Sequence, residues 1–372
     1  TSVEPSDSLD SLPDCDVLIY PSRRLGDMVR SELIYELSDA VMNVDAEDSE
    51  GTYLPLVGSS KAQATNSGKL FAVPLGQSLT QIVGNDALQK VLTEEISEER
   101  TVTWDSVIAA LGDAEASTPA GEMEFDSEAL VDRFLAIAAS QVSKNPSYGL
   151  LFELQTMQSL LHGEEFVRAA SILKQLAQAA NAKQAVFGSH DQAWSWATSG
   201  DEPRVGILTL TKLSKAVSMS GEGVALQIAG EKAMTWDTGD GLLASLSIHC
   251  RQTAQGTDFL KWLREKQTRR SLADWVVGVD SGLGNATAST LLQDAYRMQA
   301  DWRGGTAVPR EPSLPRTHRF RELLAEQLVK IVEGEVTPSE GMKAASDRWT
   351  ELAKNEGARL RKEYENSLGL GY

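Results

Sequence analysis

An α/β fold in more than one lobe is what this sequence predicts, and three observations carry the prediction. Apolar runs of strand length alternate with stretches of helical spacing over most of the chain. The last third is almost wholly helical, with no repeat of fixed period. And 372 residues are too many for one simple core. The opening element is Leu12 to Leu37. Within it Asp16–Tyr20 is a short apolar run of the kind a strand buried on both faces shows, stopped by Pro21 and Ser22. Leu25, Met28, Val29, Leu33 and Leu37 then recur at helical spacing, with Ser22 placed to cap the helix. Ligands of open α/β sheets sit beyond the carboxyl ends of strands, which makes Tyr20, Ser22 and Arg23 the first site candidates. An ordinary strand-to-helix turn with solvated arginines is the alternative.

Hydrophobic residues make up 41% and charged residues 24% of the chain, the proportions of a soluble globular protein. A formal net charge of −18 argues against nucleic acid as a partner. No apolar run approaches the roughly 20 residues that span a bilayer. The two cysteines, Cys15 and Cys250, have no metal-ligand spacing. His162, His190, His249 and His318 form no ligand pair and read as surface or capping residues, so no metal or other cofactor is expected.

Along the chain, Leu70–Leu75 is a second strand, ending in Gly76-Gln77-Ser78, where backbone amides and polar side chains come free. Helices are expected at Asp86–Arg100, from Thr103, and at Ser127–Ser143, the last amphipathic through Leu130, Phe134, Leu135, Ile137 and Ala138. A strand at Tyr148–Phe152, helices at Gln155–Leu161, Glu164–Ala182 and Asp191–Thr198, and strands at Val205–Leu210, Gly223–Ile228 and Leu242–His249 follow. Thr257–Glu265 starts a helix, and Arg303–Pro315 is a Gly/Pro-rich connector. Thr337-Pro338-Ser339-Glu340 carries a threonine N-cap, a first-turn proline and a glutamate for the reciprocal bond, a strong helix start.

No nucleophile elbow, phosphate-binding glycine loop or kinase signature occurs. Ser189-His190-Asp191 are sequence neighbours, but triads assemble across a fold, so adjacency carries no weight. Catalysis has no positive support.

Four segments, in order, resemble the extracellular solute-binding proteins of ABC transporters, the family of maltose-binding protein. They are PDCDVLIYPSRRLGDMVRSELIYELSD, KLFAVPLGQSL, LSIHCRQTAQGTDFLKWLREKQ, and VPREPSLPRTHRFRELLAEQLVKIVEGEVTPSEGMKAASDRWTEL. Ser31-Glu32 stands where that family usually has glycine. Family members open with a strand–helix–strand unit ahead of the first segment; here that unit is expected to be missing or removed, and part of the first lobe's ligand contacts with it.

The resemblance implies two α/β lobes joined by crossovers, closing on a solute by hinge motion. Lobe I is then residues 1–100 with 237–300, and lobe II residues 101–236 with 301–372. It implies no enzyme activity, a monomer, a small-molecule solute such as a sugar, permease subunits as membrane partners, and a periplasmic or extracellular site, with a lipid anchor on a removed N-terminus as one form. Sugars need aromatic faces and planar polar groups. The aromatic candidates are Trp236 and Trp302, each of which fits plain core equally well; Trp262, Trp275 and Trp349 lie within helices and read as packing. The polar candidates are Ser22, Arg23, Gly76, Gln77, Ser78, Glu153, Gln155, Thr211, Lys212 and Asp240. A carboxylate held by Arg23 and Lys212 is a second reading, and a polysaccharide-acting enzyme using Glu153 and Asp240 a third. In the family's first lobe the strands near Cys15 and Cys250 are neighbours. If they run antiparallel, a disulfide or two unrelated buried thiols both fit.

Overall fold

The computed structural model describes residues 14–37, 41, 52–54, 56, 58–76, 78, 80–92, 101–111, 126–141, 151–179, 186–209, 224–228, 236–273, 311–312, 314 and 316–368. The first three residues of the strand expected at 148–152, and candidates Gln77, Thr211, Lys212, Trp275 and Trp302, lie outside them.

The strands are β1 (Val17–Pro21), β2 (Thr65–Asn66), β3 (Lys69–Leu70), β4 (Val73–Pro74), β5 (Thr80–Gly84), β6 (Thr101–Val102), β7 (Val205–Thr209), β8 (Val224–Ile228) and β9 (Leu242–Leu246). The helices are α1 (Leu25–Arg30), α2 (Gly58–Gln63), α3 (Asp86–Val91), α4 (Trp104–Leu111), α5 (Ser127–Gln141), α6 (Glu164–Gln178), α7 (His190–Ala197), α8 (Thr253–Trp262), α9 (Lys266–Ala273), α10 (Thr317–Glu333), α11 (Pro338–Glu356) and α12 (Ala358–Ser367).

Two sheets anchor two separate cores. In the first, β9 lies between β1 and β4, antiparallel to both, with Val17 opposite Leu246 and Pro21 opposite Leu242. Leu18, Tyr20, Leu25, Met28, Val73, Leu243 and Leu260 fill its core. β1 alternates between buried and half-buried residues, so it is not the doubly buried strand expected. The second sheet runs β6-β8-β5-β7, with β5 antiparallel to both neighbours and β6 parallel to β8. Its core joins α4, α5, α6, α10, α11 and α12.

α1 stops at Arg30, well short of Leu37. Glu32 adopts a left-handed φ of 53°, which turns the chain so that Ile34 bridges to Ser247 beside β9. Leu33 and Leu37 therefore reach the core from extended backbone, not from a helix face. Residues 155–161 likewise form a tight turn, closed by a Phe152–Ser159 bridge, where a helix was expected. α5 is buried on every side from Ala129 to Ser140, so it is a central helix rather than an amphipathic one. Its Arg133 is dry but donates to the carbonyls of Val186, Ile207, Gly188 and Ser189. Hydrogen bonds from every guanidinium nitrogen are what make such burial tolerable.

Thr337 and Glu340 form the capping box expected at the start of α11, Thr337 Oγ1 accepting the Glu340 N–H and Glu340 accepting the Thr337 N–H. Cys15 and Cys250 are free thiols. The β1–β9 register explains it: with Val17 opposite Leu246, Cys250 lies past the turn that ends β9, where its sulfur faces Gly256 of α8. Cys15 Sγ meets its own neighbour's carbonyl, Val17 O, at 3.5 Å.

Candidate functional site: the junction between the two cores

The chain passes between the cores along segments that lie side by side. Thr80 N donates to Trp236 O at 3.0 Å and Thr238 N to Ser78 O at 2.9 Å, so Ser78 and Thr80 pair in antiparallel sense with 236–238. Glu311 N donates to Asp237 O at 2.9 Å, which lays a third segment against the second. β5 already belongs to the second sheet, and Leu88 and Leu92, on and just past α3, belong to the second core. The chain has thus entered the second core by Thr80, and the expected boundary at 100 lies outside the described residues. The expected boundary at 300 lies outside the described residues.

Gly239 sets the geometry here. Its φ is +72°, and a Cβ on it would lie 2.9 Å from Arg23 Cβ and 3.3 Å from Glu311 Cβ. Only glycine lets the crossing backbone come this close in a left-handed turn. Arg23 N then donates to Gly239 O at 2.8 Å and Ser22 N to Gly241 O at 2.8 Å. Ser22 is the first residue of a 3-10 turn instead of a helix cap, and its hydroxyl donates to Gly239 O at 3.1 Å.

Around this turn the charges gather. Arg23 Nη2 pairs with Asp240 Oδ1 at 3.0 Å and Arg23 Nη1 with Glu128 Oε2 at 3.2 Å, the latter from the first turn of α5. Arg321 of α10 reaches the same Glu128 oxygen at 2.6 Å, Asp132 Oδ1 at 2.5 Å and Glu311 Oε2 at 2.5 Å. His190 Nδ1 accepts the Thr209 N–H at 3.0 Å, which puts a neutral ring's proton on Nε2, 3.8 Å from Asp132 Oδ2. His190 is thus buried, not a surface residue. Burial pushes the Glu311 carboxyl up to about 7, although the nearby guanidinium groups of Arg321 and Arg23 pull it down. Carboxylates outnumber the two guanidinium groups here, and Glu128 alone, 40% exposed, sits at the solvent edge.

Among the expected residues, the junction brings together Ser22, Arg23, Ser78 and Asp240. Tyr20 is fully buried in the first core, its hydroxyl 2.7 Å from Ser245 Oγ, and burial holds its phenol well above the ordinary range. Gly76 serves through its carbonyl, which accepts from Gln63 Nε2 at 3.1 Å. Trp236 is fully buried in the second core, which takes its ring off any cleft surface. Glu153 belongs to the tight turn, where it accepts the Thr156 N–H at 2.6 Å; that bond and the Thr156 hydroxyl hold its carboxyl below the ordinary value. Gln155 is exposed, and its carbonyl accepts from Arg361 of α12 at 3.4 Å. Trp262 is 44% exposed beside Phe259, against the expectation of a packing residue, whereas Trp349 is buried as expected.

Glu128, Asp132, Glu311 and Arg321 were not among the expected residues. A signal was present. Asp132 interrupts Leu130, Val131 and Phe134, and Arg321 stands on the stripe of Leu324 and Leu328. A charge within an apolar stripe needs a buried partner.

No protein-family model matches the sequence, and no curated protein does either. The fold, however, is that of the two-lobed periplasmic binding proteins. Solved structures that it resembles include the sugar-binding protein MalE from the phytopathogen Xanthomonas citri, at a TM-score of 0.66, 14% identity, and 93% and 85% of the two chains covered. Maltose-bound MalE3 of T. maritima gives 0.63 at 14% identity, covering 91% and 85%. An ABC transporter solute-binding protein from Thermotoga lettingae, bound with alpha-D-tagatose, gives 0.62 at 12% identity, again covering 91% and 85%.

Proposed function

We propose that the protein is the solute-binding component of an ABC importer, that it works outside the cytoplasmic membrane, and that it encloses a carbohydrate between its lobes. The observation that carries this reading is the junction: two cores with separate sheets, joined by hydrogen bonds among Ser78, Thr80, 236–238 and Glu311, in a chain whose fold matches sugar-bound neighbours over about nine-tenths of its length. Side-by-side crossings of this kind flex together, which suits hinge closure over a solute. We assign residues 14–78 with 242–273 to lobe I, and residues 80–236 with 314–368 to lobe II. Gln77, Thr211, Lys212 and Trp302 remain proposed neighbours of the solute, whereas Ser22 and Ser78 are buried in the junction.

The carboxylate reading loses support because both terminal nitrogens of Arg23 are engaged, by Asp240 and Glu128. The glycosidase reading loses support in the same way, since Asp240 pairs with Arg23 and Glu153 bonds within its own turn. Membrane anchoring and permease partners follow from the proposed role alone; no helix among the described residues is long and apolar enough to cross a membrane.

A thermal-shift screen against sugars, polyols and organic acids tests the reading, because a ligand bound only to the folded state raises the melting temperature. A concentration-dependent rise with a mono- or oligosaccharide is expected. A rise confined to organic acids would replace the sugar with the carboxylate, and turnover of an oligosaccharide abolished by Glu153→Gln would replace binding with catalysis.

A further inference from the structure

We propose that the Arg23–Glu128 ion pair is a releasable latch between the lobes, built so that opening leaves neither charge without a counter-ion in its own half of the molecule. The inference rests on the two-lobed hinge reading but not on the identity of the solute. Arg23 belongs to the turn after β1, in the first lobe, and Glu128 to the first turn of α5, in the second. Their contact, at 3.2 Å, spans the junction. Each partner is also held from its own side. Arg23 keeps Asp240 at 3.0 Å, next to the start of β9, and Glu128 keeps Arg321 at 2.6 Å, on α10.

Breaking an ordinary buried pair strands a charge, which is strongly unfavourable. Here each partner keeps a counter-ion when the contact breaks: Arg23 keeps Asp240, and Glu128 keeps Arg321, which it shares with Asp132 and Glu311. Glu128 is 40% exposed, so water can enter the gap as it forms. Arg23 is only 9% exposed, so the counter-ion that each partner retains, together with water reaching Glu128, is what keeps the cost of opening small enough for a contact made and broken repeatedly. Asp132 and Glu311 hold Arg321 in place in either state, so Glu128 does not have to restrain it alone.

The test is the distance between the lobes without any solute, read by single-molecule energy transfer between dyes on exposed Lys69 and Lys343, with Cys15 and Cys250 replaced by serine. Glu128→Gln is expected to raise the ratio of open to closed molecules by about two- to fivefold, the range for a partly exposed pair. Asp240→Asn removes the partner that Arg23 retains on opening, so it is expected to leave that ratio unchanged or to lower it, whatever it does to the melting temperature. Arg23→Gln removes the same cross-lobe pair from the other side and serves if Glu128→Gln fails to fold. For the unsubstituted pair, raising sodium chloride from about 0.05 M to about 1 M shortens the screening length to about 3 Å and is expected to move the ratio in the same direction. A folded Glu128→Gln or Arg23→Gln protein with the parent's distance distribution overturns the latch, and so does an equal shift in Asp240→Asn. Because no solute is present, a failed sugar screen and a failed latch are separate results.

Discussion

Phe320 and Arg321 are neighbours on α10 and serve opposite kinds of surroundings. Phe320 enters an aromatic cluster: its ring lies 5.5 Å from Phe152 and 5.2 Å from Trp349, both nearly edge-on, while Phe152 stacks on Trp349 at 5.4 Å. The polar ends of the cluster are satisfied, since Trp349 Nε1 donates to Phe320 O at 2.8 Å and the Tyr364 hydroxyl accepts the Phe152 N–H at 3.3 Å. Arg321, one residue on, faces three carboxylates at the junction. The aromatic cluster gains stability from area and shape, and it lies wholly within one core. The ionic cluster gains little net energy over an apolar one of the same volume, but it dictates which groups may meet. A single helix therefore anchors a lobe with one side chain and positions the crossing with the next.

The strongest way to break the comparison is to remove each side chain in turn. Phe320→Ala and Arg321→Met are each expected to lower stability by about 3–5 kcal/mol, the first through a cavity, the second through uncompensated carboxylates. Denaturant unfolding at two pH values separates them. The Arg321→Met loss should shrink in acid, where Glu311 takes up a proton, while the Phe320→Ala loss should stay constant. Equal pH dependence of the two would sink the distinction.

A smaller effect is expected at the crossing itself. Gly239→Ala forces a left-handed turn on a residue with a Cβ 2.9 Å from Arg23 Cβ, and should lower stability by about 1–3 kcal/mol. An unfolding midpoint like that of the parent protein would show that the crossing tolerates a side chain.

Glu311 sharpens the ionic side of the comparison. Its carboxyl is raised from 4.5 to about 7, so its favourable contribution is complete below the unfolded value and is lost as pH rises through the folded one. Relative to Glu311→Gln, the parent protein should therefore lose stability between about pH 5 and about pH 8. A gap between the two that does not change over that range would mean that the ion pair with Arg321 outweighs burial.

The smallest effect is far from the junction. Thr337→Ala removes the α11 cap and should lower stability by about 1 kcal/mol without changing the distance between lobes. Calorimetry checks the first part and energy transfer between Lys69 and Lys343 the second.

Much of the second lobe was legible because its signals are local. The cap at Thr337, the periodicity of α6, α10 and α11, and the buried face of Trp349 depend on residues within a few turns of each other. The first lobe was harder to read. The spacing of Leu33 and Leu37 is helical, yet Glu32 turns the chain away, because pairing Ile34 with Ser247 completes the sheet edge. Trp236 was placed beside a solute by its position in a loop. It is buried because 236–238 pairs with Ser78 and Thr80, far away in the chain, and that pairing leaves no mark on either segment.

By itself, then, the sequence determined the α/β class, the helices among the described residues of the last third, and the positions of strands such as β1, β7, β8 and β9. Each follows from hydrophobic period, turn residues and caps, which act over a few residues. Only the tertiary structure decided that Arg23 meets Glu128 and Asp240, that Arg321 gathers Asp132 and Glu311, and that Cys15 and Cys250 stay apart. Those outcomes depend on strand register and on how closely Gly239 lets two segments approach. Both are set by packing between residues far apart in the chain, where charge and shape must match in three dimensions.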